Sequence, residues 1–378
     1  MGLAIGSLIE QLQVQGGYQI HKQDCLRTSS DRIQMTSGIK HRLISPGIIA
    51  VIAALLLAGG VLFANHLLES PLQRSVNFEI ERGSALNTVL HRLTSDDITP
   101  VPNFVLKLYA FITLSEGTVK AGEYALSESL TTKTLLNKLR RGDVITYSIT
   151  FPEGWHLSQW LDLMKSEPAI AITLSSAAEV AGKIEGIQGD SQGQFFPDTY
   201  SYTKNATDTS ILRRAHLRMQ KVLDEAWLNR TDGVTLKSKR EALILASIIE
   251  KETGVSADRS AIAGVFVNRL SQGMKLQSDP TVIFGMEDFD GDLKRRHLRT
   301  PSPYNTYIIP RLPIGPICNP GAGSIAAALN PPESDYLYFV AKGDGTSYFS
   351  TSLEEHNAAV VQFQKAGRVK NYSSTPKE

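Results

Sequence analysis

Two carboxylates at the end of an apolar run are the first residues in this sequence that could do chemistry. The run, residues 242–249, reads ALILASII, and Glu250, Lys251 and Glu252 follow it directly. Such a run predicts a buried helix, whereas carboxylates are rarely buried unless something compensates their charge. A carboxyl at the exit of a buried helix is partly desolvated, which raises its pKa and suits it to act as a general acid.

The geometry of this helix leaves open which of the two acids would act. At about 100° per residue, Glu250 and Glu252 point about 200° apart, so only one of them can line a given cleft. The alternative is that both are ordinary charges at a solvated helix end. Gly254 predicts a left-handed cap that ends the helix there.

Other patterns that carry chemistry are absent from the sequence or incomplete. The turn at 287–293 spaces three aspartates like calcium ligands, but Leu293 and Arg299 stand where an EF-hand needs Gly and Glu. No glycine-rich phosphate loop, serine nucleophile elbow or His-Glu-x-x-His motif occurs. His356 is expected to be a structural, hydrogen-bonding histidine. We therefore expect no metal site and no cofactor.

The composition indicates a folded protein of two or three domains. The chain has 378 residues, of which 42% are hydrophobic and 20% charged. Its formal net charge is +1 and it has no nucleic-acid motif, so no nucleic-acid partner is expected. The two cysteines, Cys25 and Cys318, cannot build a disulfide framework or a cysteine-based metal site, and Cys318 is expected to be structural.

A charge-free segment near the N-terminus predicts a membrane anchor. Residues 43–64 contain no charge, which is enough apolar length to cross a bilayer, and we expect a transmembrane helix over 43–65. Lys40 and Arg42 precede it closely, which predicts a cytoplasmic segment over 1–42 and an external location for the rest. Met35 is an alternative start.

The alternative to an uncleaved anchor is a signal peptide cut at the small residues 58–60. The apolar run continues through residues 61–63 and is longer than a usual signal core, which favours the anchor.

After a linker over 66–75, the sequence predicts three successive strand–helix units. They cover residues 76–93, 122–142 and 145–164. Trp155 and Trp160, in the third unit, could stack on sugar rings, but core packing is the favoured interpretation.

The second half of the chain is predicted to contain several helices and a hairpin, with a loop-rich stretch beyond Gly285. We expect an amphipathic helix over 211–227, the buried helix that ends in the two acids, and a helix over 261–270. A hairpin over 335–351 with a Gly-Asp-Gly turn and a last helix over 353–366 follow, the latter with capping-box spacing at its start. The fold class is α+β and not a doubly wound sheet.

Several motifs occur together and in order, and their combination is more specific than any one of them. They are FFPDTY (195–200), ASIIEKET (246–253), VFVNRL (265–270), MKLQSDPTVIFG (274–285), TPSPYNTY (300–307), LPIGPICNPG (312–321) and HN (356–357). This set closely resembles the MltG/YceG family of membrane-anchored endolytic murein transglycosylases. The resemblance covers roughly residues 76–365.

The resemblance implies an architecture and a reaction. It implies a LysM-like module over 76–150, a mixed α+β catalytic domain over 151–368 and a tail over 369–378. It implies Glu252 as the catalytic acid in non-hydrolytic cleavage of the MurNAc–GlcNAc β-1,4 bond, which leaves 1,6-anhydroMurNAc ends and terminates strand elongation. The substrate is the peptidoglycan strand, peptidoglycan synthases are expected partners, and the location is the cell inner membrane with the catalytic domain in the periplasm.

The shared loops of the family also imply residues that line the sugar cleft. These expected substrate-binding residues are Gln277, Ser278, Asp279, Thr281, Tyr304, Asn305, Thr306 and Asn319. The departures from the family pattern are small: Ile314 replaces a proline, and Ser278 stands where Thr is also common.

Two other functions are alternatives to the transglycosylase function. A non-catalytic scaffold could use the LysM-like module to hold glycan near synthases, in which case Glu252 would be dispensable. An aminodeoxychorismate lyase would need pyridoxal phosphate, a cofactor lysine and cytoplasmic substrates, which the predicted external location disfavours.

Overall fold

The computed structural model describes residues 45–113, 119–187 and 189–365. The chain divides into two units, and the division falls between Val61 and Leu62. The predictions for the cytoplasmic segment, for Met35, for Cys25 and for the tail lie outside the described residues.

The first helix, α1, is Pro46–Leu68, and it is long and apolar enough to cross a membrane. The side chains of residues 47–63 are exposed, as those of an apolar helix surrounded by lipid would be. It agrees in place with the segment predicted over 43–65.

The module that follows α1 has the element order β-α-α-β-α. Its elements are β1 Val76–Ile80, α2 Leu86–Ser95, α3 Asn103–Thr113, β2 Gly122–Leu126 and α4 Thr132–Arg141. The strands pair antiparallel, with Val76 opposite Leu126. The helix α3 was not predicted. Its sequence NFVLKLYAFIT is apolar on both its buried and its exposed sides, so no clear helical period marks it.

The segment predicted as a linker is fastened to this module. Leu68 and Leu72 are buried in the module core. The backbone N–H of Leu72 donates to the Leu130 carbonyl over 2.9 Å, and that of Gln73 donates to the Ile98 carbonyl over 2.9 Å. The chain therefore passes from α1 into the module without a free stretch.

A second hydrophobic core is built around aromatic rings. Its elements are β3 Thr146–Thr150, α5 Leu157–Ser166, β4 Ile170–Ala171, α6 Val180–Lys183, β5 Thr199–Thr203 and β6 Ala206–Thr207. Trp160 is fully buried and stacks on Phe151, with ring centroids 3.9 Å apart, so its expected core packing is confirmed. Trp155 is partly buried against the same core.

The strand of the third predicted unit, β3, pairs with a strand that comes later in the sequence. Strand β3 pairs antiparallel with β5, and Ile149 belongs to the aromatic core, whereas Val144 packs on the module. The change of core therefore falls a few residues before the boundary predicted at 150/151.

Charged side chains join the module to the part that follows it. The Lys204 ammonium lies 2.8 Å from a carboxylate oxygen of Glu79 and 3.4 Å from one of Glu123. The Tyr147 hydroxyl donates to Glu123 over 2.5 Å. One lysine thus bridges two strands of the module.

The third core is helical and closes with a hairpin. Its elements are α7 Asp208–Leu228, α8 Lys239–Glu252, α9 Ser256–Ser271, α10 Asp279–Phe284, α11 Ala322–Leu329, β7 Tyr338–Ala341, β8 Ser347–Ser350 and α12 Leu353–Val360. All eight residues 242–249 are buried, which confirms the buried helix, and the antiparallel pairing of β7 with β8 confirms the hairpin. The Ser352 hydroxyl caps α12 as predicted, but the helix changes to a π turn at Val361–Lys365. The described part of the chain is mixed α+β.

The prediction that Gly254 caps α8 was wrong. The helix ends at Glu252 because Thr253 is extended, with φ −145° and ψ 132°. The Thr253 hydroxyl accepts the Val255 backbone N–H over 2.9 Å, and α9 begins at Ser256. A turn held by the Thr253 side chain therefore follows α8 in place of the expected left-handed glycine.

Candidate active site

The two acids at the end of α8 have separate environments, as their angular separation predicts. The Glu250 side chain is only 5% exposed and lies 3.4 Å from a guanidinium nitrogen of Arg259. Its second oxygen accepts the Gly321 backbone N–H, over 2.9 Å, at the start of α11. Glu250 is thus occupied in joining α8, α9 and α11.

Glu252 faces a different group of residues and has a perturbed titration. Burial raises its pKa to about 7, and the negative charge of Asp279 acts in the same direction. A hydrogen bond donated by the Ser278 hydroxyl and the more remote charge of Arg269 oppose this shift. The carboxyl also stands at the C-terminal end of its helix, where the helix dipole disfavours a negative charge.

The Ser278 hydroxyl is positioned by hydrogen bonds that its backbone makes with two neighbouring threonines. The Ser278 backbone N–H donates to the Thr306 hydroxyl over 3.0 Å, and the Thr281 and Thr306 hydroxyls are 2.8 Å apart. Gln277, immediately before it, has a φ of 54°, a left-handed conformation that is uncommon outside glycine. Strained backbone of this kind clusters at functional sites, where the surroundings hold it in place.

Asp279 and Tyr307 form the next layer beside Glu252. The Tyr307 hydroxyl donates to Asp279 over 2.6 Å. Burial, this hydrogen bond and the charges of Asp279 and Glu252 raise the pKa of Tyr307, so it remains a neutral donor at physiological pH. Asp279 itself is exposed at the first position of α10.

Sequence reasoning did not include Arg269 or Tyr307 among the site residues. Arg269 is only 7% exposed, and its guanidinium donates to the backbone carbonyls of Leu337 and Leu276 over 2.6 and 2.7 Å. A signal was present, because an arginine at the buried helical spacing 262, 266, 269 must find partners inside the protein. Tyr307 carried no comparable signal beyond its place at the end of the YNTY motif.

The eight expected substrate-binding residues fall into two groups. Ser278 and Asp279 are next to Glu252, and Gln277 is exposed beside them. Tyr304 is partly buried and meets Phe284 edge to face, with centroids 4.8 Å apart. The remaining side chains are fully buried and bonded to protein groups; they are Thr281, Asn305, Thr306 and Asn319.

Asn319 fastens two backbone segments, at Trp155 and at Phe195, together. Its Oδ1 accepts the Phe195 backbone N–H and its Nδ2 donates to the Trp155 carbonyl, each over 3.3 Å. Its own backbone N–H also donates to the Trp155 carbonyl, over 3.0 Å.

Replacing Asn319 with alanine is therefore expected to lower the free energy of unfolding by about 1–3 kcal/mol, because buried polar groups lose their partners. Thermal unfolding of the full chain in detergent measures the loss, and the exposed Asn229→Ala variant is the control. A raised KM for the glycan that the resemblance implies, with unchanged stability, would instead assign Asn319 to sugar binding.

Replacing Ser278 with alanine is expected to raise the pKa of Glu252, because the hydroxyl hydrogen bond favours the charged carboxylate. The alkaline limb of the kcat/KM profile for the glycan cleavage that the resemblance implies should move to higher pH. Ser278→Thr keeps the hydroxyl and should leave that limb in place. Equal profiles for the two variants would contradict the assignment.

In the part of the chain that the structure describes, no three His, Cys, Asp or Glu side chains lie close enough together to hold a metal ion.

His356 stacks on Tyr338, with ring centroids 5.3 Å apart. Burial lowers the pKa of His356, and the positive charge of Arg269 acts in the same direction.

Comparison with known proteins identifies the family of this chain. A sequence profile of the YceG-like family matches residues 78–362. The endolytic murein transglycosylase of Bacillus subtilis (strain 168) is 29% identical over 339 residues, which cover 82% of this chain and 91% of that protein. The protein of the same name from Streptococcus pneumoniae serotype 2 (strain D39) is 27% identical over 361 residues, and the chain spans 64% of its length.

A crystal structure of a YceG-like protein from Listeria monocytogenes is 29% identical and aligns over 76% of this chain and 99% of its own, with a TM-score of 0.48. The family profile extends over well more than half of the 378 residues. The chain belongs to the YceG-like family.

Proposed function

We propose that this protein is an endolytic peptidoglycan lytic transglycosylase in which Glu252 is the catalytic acid and base. The observation that carries the proposal is the Glu252 carboxyl, whose pKa of about 7 lets it hold a proton and also release it near neutral pH. The names of the relatives from Bacillus subtilis and Streptococcus pneumoniae support the same reaction.

In the proposed reaction, Glu252 donates its proton to the oxygen of the MurNAc–GlcNAc bond as the bond from that oxygen to C1 breaks. The C6 hydroxyl of the same MurNAc then attacks C1, and its proton passes to the Glu252 carboxylate. The products are a shortened strand with a 1,6-anhydroMurNAc end and a new GlcNAc end, and Glu252 is again protonated. An ordinary glycosidase needs a second carboxylate for water or for a covalent intermediate, and the internal hydroxyl removes that need.

The neighbours of Glu252 have supporting roles in this proposal. Ser278 orients the carboxyl, and the pair formed by Asp279 and Tyr307 borders it. Gln277, Ser278, Asp279 and Tyr304 contact the sugar. The buried Thr281, Asn305, Thr306 and Asn319 position these contacts from behind.

The anchor and the module complete the proposal. Helix α1 holds the chain in the cell inner membrane with the N-terminus in the cytoplasm, which is supported by Lys40 and Arg42 before the span. The LysM-like module begins at residue 76 and ends between Val144 and Tyr147, where the core changes, and the catalytic domain that follows it lies in the periplasm. Peptidoglycan synthases, which supply the nascent strands, are the partner class.

The test is a digest of purified glycan strands by the full chain in detergent, with the products read by mass spectrometry. Anhydro-ended fragments are expected. Reducing-end fragments would mean hydrolysis and would point to the neighbouring Asp279 as a second carboxylate. A folded protein that binds glycan without cutting nascent strands would favour the scaffold function.

A further inference from the structure

Helix α3 of the module carries an apolar surface that nothing in the described part of the chain covers. Phe104, Leu108, Phe111 and Ile112 are exposed by 72, 57, 85 and 71%. At about 100° per residue these four side chains fall within an arc of about 100°, which we call the α3 apolar face. The opposite side of the helix is buried in the module core through Leu106 and Ala110, and Val105, which borders the stripe, is buried there too.

The α3 apolar face has the features of an interfacial surface and lacks those of a sugar site. It presents four large apolar side chains in one continuous stripe, whereas exposed apolar residues normally occur singly. No acidic residue occurs in α3, and the exposed Lys107 stands at the edge of the stripe. A basic side chain beside an apolar face suits the boundary between anionic headgroups and acyl chains.

The loop that leads into α3 is bonded to the segment that follows α1. Ile98 accepts the Gln73 backbone N–H over 2.9 Å, and Thr99 is 2.7 Å from the Thr132 hydroxyl. Thr132 in turn donates its backbone N–H to Ser70, two residues beyond the end of α1, over 3.1 Å.

The anchor also reaches the module core within a short length. Ala64, the last residue of the charge-free run, already packs against the core that contains α3. From Ala64 to Leu68 the helix rises only about 6 Å. The module that carries the α3 apolar face is therefore tied directly to the end of the membrane span.

We propose that the α3 apolar face lies in the headgroup layer of the same membrane that α1 crosses, so that the module has a second contact with lipid. The inference rests on the proposed anchoring by α1 and is independent of the cleavage reaction. Lipid contact at α3 would limit the rotation and tilt of the module about its single covalent attachment.

The experiment places a nitroxide label on Phe111→Cys of the full chain, in a Cys25→Ser background, in nanodiscs that contain anionic lipid and one chain each. Relaxation of the label by lipid-soluble oxygen is compared with relaxation by a water-soluble nickel chelate. Labels at Leu56→Cys, in the span, and at Leu228→Cys, an 80% exposed position on α7, give the lipid and water references.

The oxygen-to-nickel ratio at position 111 is expected to exceed that at 228 by about fivefold or more and to approach that at 56, because an interfacial helix sinks into the acyl boundary. Equal ratios at 111 and 228 would overturn the inference. Shielding of 111 from both reagents would also overturn it, since that result means a protein surface covers the face. A water-exposed label at 56 would remove the anchoring on which it rests.

Discussion

The Glu252→Gln variant is expected to lose glycan cleavage by a factor of about 10²–10⁴ or more, because one proton-transfer group serves both steps. Glutamine keeps the size of the side chain and a hydrogen bond with Ser278 but holds no transferable proton. The measurement is the initial rate of release of anhydro-ended fragments from purified strands. The wild-type kcat/KM is expected to fall as the pH rises above about 7, when the free enzyme loses this proton.

Glu250→Gln is the matched control, since it makes the same chemical change two residues earlier in the same helix. It weakens the contact with Arg259 and the cap on Gly321, so a loss of stability is expected with cleavage largely retained. If Glu250→Gln abolishes cleavage in a folded protein and Glu252→Gln does not, the assignment of the two acids is reversed.

Glu252→Gln is also expected to make the protein more stable at pH 8, by about 1–3 kcal/mol. The folded pKa of about 7 lies above the ordinary value of 4.5, so the folded state binds this proton more tightly than the unfolded state does. Stability contributed by the protonated carboxyl is therefore lost as the pH rises from about 4.5 through about 7. Glutamine is neutral throughout and does not carry this penalty.

The measurement is the difference in Tm between variant and wild type at pH 4.5 and at pH 8, with the full chain in the same detergent. The difference should be near zero at the lower pH and about 2–6 °C in favour of the variant at the higher pH. Other titrating groups cancel because both proteins contain them. A difference that does not change with pH would show that the Glu252 carboxyl is not perturbed.

The sequence predicts most local elements of this fold, because their signals are local. The buried run at 242–249, the hairpin around its Gly-Asp-Gly turn and the Ser352 cap are each encoded within a few residues. Helix α3 was missed because part of its apolar surface faces outward, so the usual contrast between buried and exposed positions is absent. The pairing of β3 with β5 depends on contacts about fifty residues apart, which no local pattern records.

The candidate active site is likewise predicted only in part by the sequence. Helical spacing predicts that Glu250 and Glu252 have different neighbours, but only the folded chain shows which neighbours they are. The motif residues Ser278 and Asn319 carry equal weight in the sequence. In the fold, one hydroxyl contacts the acid while the other side chain is buried between two backbone segments. Burial is a property of the assembled core, so the sequence cannot separate these two roles.

The thiol of Cys318 can report how often the helical core of this protein opens. It is fully buried and donates to the Ser247 carbonyl in the middle of α8, and burial raises its pKa well above the ordinary value. Since only the thiolate reacts, an alkylating reagent can modify Cys318 only in molecules whose helical core has separated. The rate of modification of the peptide that contains Cys318 therefore reports how often the helix bearing Glu252 comes apart, in intact membranes and without an introduced label.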